Sequence, residues 1–415
     1  MMRLKFLVKL IFSIGILTIA SSFSTASQAT PAFARQMGKA CLSCHFQHFP
    51  TLNAFGQQFK AGGYTEMGKQ STLKGDDFSL PATLNASLFS KIRYQKSNGT
   101  DAAGTQTTAS GQLQFPDELA LLFGGRVSDN IGFMLEGQLA NGAAPMMAGF
   151  KMPFMTNIKG VKIGVIPYTT DALGASYGFE LLSTGAVRNI RTMEHRNESS
   201  AQQYIGTATA AMGAAFVVWD PNYFVNFSRW SPNNAAVSDG MANGNPTSTY
   251  VRAAYTPTLA GWETAIGVQY WGGHSNIGEA DDVVTPRSTK AWAIDAQAQG
   301  AVMNLPLGIY FSHASAKGTP SGGRVNLFNS NPNNKQATSI SAELGVIPNK
   351  ATIMLAYRDG DSGSASNSKD NALTIGATYS MAQNAQLQLQ HSNRSKNGYD
   401  GAGDKLTTFM LSSGF

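Results

Sequence analysis

Residues 292–299 read Trp292-Ala293-Ile294-Asp295-Ala296-Gln297-Ala298-Gln299. Successive side chains of an extended chain point to opposite faces. Trp292, Ile294, Ala296 and Ala298 therefore share one face, and Asp295, Gln297 and Gln299 the other. The same period of two recurs elsewhere. Ile340, Ala342, Leu344 and Val346 oppose Ser339, Ser341 and Glu343; Ala385, Leu387 and Leu389 oppose Gln386, Gln388 and Gln390; Ile131, Phe133, Leu135 and Leu139 oppose Met134, Glu136 and Gln138. These are strands with one apolar and one polar face. A soluble sandwich would alternate in the same way, so the choice of architecture needs further signals.

The connections supply one. About sixteen strands are expected, a count that could be fourteen or eighteen, beginning near residues 83, 114, 130, 147, 159, 203, 222, 248, 261, 290, 304, 337, 350, 371, 384 and 405. Links after odd-numbered strands are mostly long and polar, and links after even-numbered strands are short. Short periplasmic turns, long outer loops and an even strand number are the pattern of outer-membrane barrels. The ending is a second signal. Thr407, Phe409, Leu411, Ser413 and Phe415 alternate up to a terminal aromatic, an ending that resembles the assembly signal of bacterial outer-membrane proteins. Third, Tyr223, Trp230, Tyr270, Trp271 and Tyr310 gather near strand ends, as in interfacial aromatic girdles.

Composition agrees. Only 13% of residues are charged and 43 are glycine, against about 25% charged in soluble domains. Arg3, Lys5 and Lys9 precede an apolar run from Leu10 to Ala20, with a small-residue cleavage site after Ala29. Residues 1–29 are thus expected to be a secretory signal peptide, with export to the cell outer membrane. Its removal lowers the formal charge from +6 to about +3. No dense basic run suggests a nucleic-acid partner, and no later apolar stretch is long enough for a membrane helix.

The two cysteines stand in Cys41-Leu42-Ser43-Cys44-His45, the attachment signature of a c-type haem. Both thiols add to the haem vinyl groups, and the adjacent His45 supplies the proximal imidazole to the iron. A dithiol redox pair would favour a thioredoxin-like βαβ setting, and half of a zinc site would need a second cysteine pair; neither is present. One covalent haem c is expected. Leu52, Phe55 and Phe59 then recur at helical spacing, and Gly62-Gly63 stops the helix. Phe55 and Phe59 are expected to lie on the haem, or else against the barrel wall. Residues 30–78 are too few to enclose a haem alone, so this unit is expected to hang below the barrel 79–415 or to plug its lumen. For the sixth iron ligand, Met67 follows the glycine pair with enough chain to return over the iron; Met37, a barrel side chain or water are the alternatives. The longest loop, about 168–202, is expected to fold inward as a cap. Its charged run Arg188, Arg191, Glu194, His195, Arg196 and Glu198 is read as a solvated loop.

With both halves in view, the chain resembles the fused outer-membrane monohaem cytochrome c–porin family, whose best-known members are iron-oxidising outer-membrane cytochromes. The resemblance is carried by Pro31-Ala32-Phe33-Ala34-Arg35-Gln36, Cys41 to His45, Phe49-Pro50, and Phe55-Gly56 through Phe59-Lys60 to Gly63-Tyr64. It implies a haem-plugged barrel that takes electrons from extracellular Fe(II) and passes them to a periplasmic c-type cytochrome. Cys41, Cys44 and His45 carry over directly; nothing in the loops does.

Two functions follow as expectations. An electron conduit would let Fe(II), which favours oxygen donors, gather at acidic loop stretches such as Glu279, Asp281 and Asp282, or Asp359 and Asp361. A different donor, or the reverse direction, is equally compatible with the sequence. Alternatively, a porin-type channel with a structural or sensing haem would be lined by inward Glu136, Glu263, Asp295, Glu343, Lys91 and Arg93. Hydrolytic or transferase chemistry has no support, since no nucleophile–base pair or phosphate loop is present.

Overall fold

The computed structural model describes residues 32–76, 79–99, 109–139, 147–187, 193–232, 244–278, 284–382, 384–396 and 403–415. The expected signal peptide, Arg188, Arg191, Glu279, Asp281 and Asp282 lie outside these.

Among the described residues sixteen antiparallel strands close into a barrel. They are β1 (Ala86–Ser97), β2 (Gln112–Arg126), β3 (Gly132–Gln138), β4 (Met147–Lys151 and Phe154–Ile158, interrupted at Met152-Pro153), β5 (Val161–Thr170), β6 (Ala211–Asp220), β7 (Tyr223–Ser231) and β8 (Ser248–Tyr255). There follow β9 (Trp262–Gly272), β10 (Ala291–Val302), β11 (Leu305–Ala316), β12 (Lys335–Ile347), β13 (Ala351–Asp361), β14 (Lys369–Ala382), β15 (Ala385–Ser395) and β16 (Lys405–Gly414). β16 pairs with β1, Leu406 opposite Ser97 through Gly414 opposite Phe89. The terminal Phe415 extends that seam by exchanging backbone hydrogen bonds with Leu88 at 2.7 and 2.9 Å. Closure leaves no strand edge with unpaired amides, which a wall facing lipid requires.

Every strand but the sixth starts within three residues of its expected position. The sixth was expected near 203 and begins at Ala211. Residues 201–205 wind instead into a helix inside the lumen, where Ser200 caps it by accepting from the Gln203 N–H.

The alternation has the polarity of a membrane barrel. On β13, Ile353, Leu355 and Tyr357 are exposed, whereas Thr352, Ala356 and Arg358 are buried. On β9, Ile266 and Val268 are 62% and 53% exposed. Leaving side chains of this size in water forfeits about 1.5–3 kcal/mol each. A wall of them is stable only against an apolar surrounding. Tyr223 and Tyr270 face outward as a girdle requires, but Trp230, Trp271 and Tyr310 do not: each is 2% exposed or less. Their positions fall on the inner face, and they pack inside the barrel. Trp230 and Trp271 do so around Phe328, which comes from the loop between β11 and β12.

Two segments fill the interior. The N-terminal one carries α1 (Ala32–Met37), a 3-10 turn (Cys41–Ser43) and α2 (Ala54–Ala61). A two-stranded hairpin, Thr72–Lys74 with Ser79–Pro81, then leads to β1. The second segment is the connection from β5 to β6, with α3 (Arg196–Ser199) and α4 (Ala201–Ile205).

Candidate functional site

The cysteine turn is compact and clamped. The N–H groups of Cys44 and His45 both donate to the Cys41 carbonyl, at 3.1 and 3.0 Å. One turn of backbone thus carries both sulfurs and the imidazole. Residues 51–56 hold it: Phe46 N–H donates to Thr51 O at 2.8 Å, and Asn53 N–H to Cys44 O at 3.0 Å. Asn53 also caps α2, its side chain accepting from the Gly56 N–H. Gly56 is required by this packing, since a Cβ there would lie 2.1 Å from the Cys44 carbonyl oxygen. The helix expected from Leu52, Phe55 and Phe59 exists as α2 and ends at Gly62.

His45 Nδ1 lies 3.3 Å from the Thr51 carbonyl. A carbonyl can only accept, so Nδ1 is the donor in this contact. A metal-binding imidazole is oriented in the same way when its Nδ1–H donates to a backbone carbonyl. The two cysteines are not joined in a disulfide. Burial pushes both thiols above their ordinary range; for Cys44 the neighbouring Cys41 adds to this, and Lys39 partly offsets it. A dithiol redox pair has the opposite character, a thiol lowered towards thiolate at neutral pH.

The turn occupies the barrel mouth at the end carrying the short turns. Phe49 packs on Phe89 of β1 at 5.7 Å between ring centroids. Ala54 N–H donates to Glu263 of β9, and Lys162 of β5 donates to Gln58 O. Gln36 accepts from the Arg126 N–H of β2. Opposite, the buried His48 is bonded through Nε2 to Glu343 of β12, and its Nδ1 lies 3.0 Å from Phe49 O. Both partners are acceptors. Burial pulls the His48 pKa down, but the charge and hydrogen bond of Glu343 outweigh it, and the net shift is upward.

Beside Cys41 opens a cleft of about 250 Å³ between the cysteine turn and the inner wall of β1, β2 and β14–β16. Leu42, Phe49, Phe89 and Leu122 give it apolar sides. Gln47, Ser87 and Gln386 add polar side chains to its lining. The donor set itself, two thiols and an oriented imidazole on one turn, has the chemistry a covalent porphyrin needs; of the three residues only Cys41 lines the cleft. Cys41, Cys44 and His45 would hold the porphyrin.

The remaining expected residues are distributed differently. Phe59 is buried with Met37 and Tyr64, and Phe55 packs against that cluster; neither lines the cleft. Met67 is half-buried, and the next residue, Gly68, donates its N–H to Gln36 O, so this stretch runs along α1. Asp361 is ion-paired with Lys369 at 3.1 Å. Among the described residues no three His, Cys, Asp or Glu side chains gather as a metal-binding group.

The connection from β5 to β6 folds inward as expected, but Glu194, His195 and Glu198 of its charged run are not solvated. Glu194 pairs with Lys91 and Arg93 of β1 at 3.0 and 3.3 Å. His195 bonds to the hydroxyls of Ser392 and Thr408, and Glu198 pairs with Arg394 at 2.6 Å. The acids meet cations on the inner wall because the loop turns into the lumen. Further along, Glu180 pairs with Arg252 at 2.9 Å, Thr184 donates to Asp295 at 2.7 Å and Ser183 N–H to Gln297 at 3.0 Å. Lys91, Asp295 and Glu343, expected to line a wet channel, are buried and paired. Strand parity marks which charges point inward; their partners come from loops that parity does not place.

No protein-family model matches the sequence, and no curated protein matches it. Among solved structures, the outer membrane channel DcaP of Acinetobacter baumannii is similar at a TM-score of 0.50 and 13% identity, over 80% of this chain and 97% of that one. A loop-deletion mutant of OmpT, an outer membrane protein of Vibrio cholerae, gives 0.49 at 9% identity over 80% and 99%. A mutant of Rh. blastica porin gives 0.48 at 10% over 80% and 100%. At such identities the likeness is one of fold: the chain forms a closed, sixteen-stranded antiparallel barrel similar to outer membrane porins.

Proposed function

We propose that this chain is an outer-membrane electron-transfer protein of the fused cytochrome c–porin type, carrying one covalent haem c between an extracellular donor, Fe(II), and a periplasmic c-type cytochrome. The observation that carries the reading is the Cys41–His45 turn, with its oriented imidazole, lodged inside a barrel whose outer wall is apolar. Haem c, when bound, accepts and releases one electron. Each Fe(II) oxidised to Fe(III) outside supplies that electron, and the periplasmic partner removes it.

The chain's own residues position and insulate. Cys41 and Cys44 would anchor the group, and His45, oriented by its Nδ1 contact with the Thr51 carbonyl, would supply the imidazole to the iron. Met67 is retained as a candidate sixth ligand, with Phe55 and Phe59 supporting the unit from the α1–α2 cluster. The inward loop is tied to the inner wall through Glu194, His195 and Glu198, which would narrow the path for ions.

A second reading, a porin-type channel with a structural haem, is favoured by the fold's likeness to a solved channel. Two measurements separate them. Membranes bearing the intact protein, mixed with external Fe(II) in stopped flow, should show rapid haem reduction that is lost in Cys44→Ala and His45→Ala. In planar bilayers the protein should conduct poorly. A haem reduced by dithionite but not by Fe(II) removes iron as donor; porin-sized conductance selects the channel.

A further inference from the structure

At the long-loop end a hairpin, His274–Gly278 paired with Val284–Ser288, lies against the inner wall. Its fully buried Ser275 meets the hydroxyl of Ser248 on β8 at 2.8 Å. The loop between β11 and β12 locks onto this hairpin: Leu327 N–H donates to Ser288 O at 2.8 Å, and Ser288 N–H to Val325 O at 3.0 Å. Between the two lies a cavity of about 370 Å³, lined by Arg287, residues 325–331 and Lys335. Ligand pockets begin near about 300 Å³, so a small organic ion has room. The amide side chains of the lining are spent on the loop itself. Asn326 donates to Lys290 O and Lys317 O, at 2.9 and 2.6 Å. Asn329 donates to Asn333 O at 2.8 Å and Asn331 to Ser362 O at 2.7 Å. Phe328 is anchored against Trp230 and Trp271. The cavity is therefore preformed, and a ligand entering it has little loop ordering to offset. The cations of the lining are not spent. Among the described residues the Arg287 side chain has no hydrogen bond or ion pair, and the Lys335 ammonium has only the face of Tyr204, 5.2 Å from the ring centroid. Asp370, whose charge reaches Lys335, is taken by Arg358 at 2.7 Å. Residues 284–290 and 317–335 carry five cations, Arg287, Lys290, Lys317, Arg324 and Lys335, and no acid. A concave site lined by one sign of charge concentrates the opposite ion. The arginine fork matches a carboxylate or phosphate in two parallel hydrogen bonds, and the lysine can meet a second anionic oxygen.

We propose that this cavity binds a small oxyanion with two or more negative charges, of the polycarboxylate class, with Arg287 as its clamp and Lys335 as its second cation. The assignment needs no haem. Joined to the reading above, on which this one clause rests, it specifies the donor: Fe(II), which favours oxygen ligands, would dock as a polycarboxylate complex rather than as the bare cation, which Arg287 and Lys335 repel.

The test is calorimetric titration of the full chain in detergent with citrate and, separately, with inorganic phosphate, in a buffer free of both and without iron. Saturable citrate binding is expected, weakening as salt is added. Losing a charge-assisted contact should weaken it roughly ten- to a hundredfold in Arg287→Gln, and Arg287→Glu should abolish it. Lys335→Gln should weaken it as well, and Lys290→Gln, outside the lining, should leave it unchanged. Arg287 lies on the hairpin rather than in the barrel wall, so heat-dependent gel mobility should stay native in its variants, which keeps the test open should the Lys335 variant fail to assemble. Absence of citrate binding to the native protein, binding of phosphate alone, or citrate binding unchanged in Arg287→Glu overturns the proposal and leaves the haem reading untouched. Citrate binding that is lost in Arg287→Glu upholds the site; if external Fe(II) then reduces the haem no faster with citrate than without, the link to the donor is overturned.

Discussion

Arg252 offers the sharpest test of how the inward loop is held. It lies on β8, fully buried, and reaches Asp295 of β10 through two nitrogens at 2.5 and 3.0 Å. Its Nε lies 2.9 Å from Glu180 of the inward loop. The wall makes room for it: a Cβ on Gly267 would come within 2.1 Å of the guanidinium. Arg252→Met removes the cation and leaves two buried carboxylates facing each other. Breaking a buried pair from one side costs about 3–5 kcal/mol. At 1.36 kcal/mol per decade, that is roughly a hundred- to several-thousand-fold in the folding equilibrium. The triple variant Arg252→Met, Glu180→Gln, Asp295→Asn removes every charge of the cluster and should recover most of that loss, because the desolvation of three ions goes with it. Urea unfolding in lipid vesicles, followed by the fluorescence of the buried Trp230 and Trp271, measures both. Since Glu180 and Thr184 tie the loop to this cluster, the single variant should also raise ion conductance in planar bilayers. A single variant as stable as the native protein, or a triple variant no better than the single, would refute the argument.

Two further outcomes follow from the geometry. Gly56→Val drives a side chain into the Cys44 carbonyl and Leu52; overpacking of this kind costs about 1–3 kcal/mol. Covalent haem, read by peroxidase staining of denaturing gels, should fall several-fold while the barrel still assembles. His195 is held neutral, burial lowering its pKa from 6.5 to about 4. Between those values the unfolded chain binds a proton that the folded one does not. Stability should therefore fall as pH drops from 6.5 to 4, by on the order of 3 kcal/mol. In His195→Gln that part of the pH dependence should disappear from the unfolding curves.

The barrel was legible because its determinants are local. Period-two alternation needs only neighbouring residues, and so does the contrast between short links such as 348–350 and long ones such as 171–210. The Cys-x-x-Cys-His turn is equally local, since five consecutive residues suffice to bring two thiols and an imidazole onto one turn. The sixth strand was misplaced by eight residues. Residues 201–205 carry local helix signals, the Ser200 cap before them and Gly206 in the left-handed conformation after them, but five residues are too few to show a helical period against the strand pattern around them. Trp230, Trp271 and Tyr310 were assigned to the girdle from their nearness to strand ends; facing was the deciding variable, and it depends on parity relative to the lumen.

What the sequence by itself determined is therefore the wall, its polarity and the cysteine turn. What only the tertiary structure decided is what fills the lumen and what completes the site. Glu194 meets Lys91 across 103 residues, His48 meets Glu343 across 295, and Gln386 reaches the cleft beside Cys41 from the far end of the chain. A strand pattern states that a charge points inward. Only the closed barrel, which brings distant strands and loops around one interior, states what that charge will find there. The physical reason is desolvation: a buried ion or amide must find a partner within hydrogen-bonding distance, and that distance is a property of the folded chain.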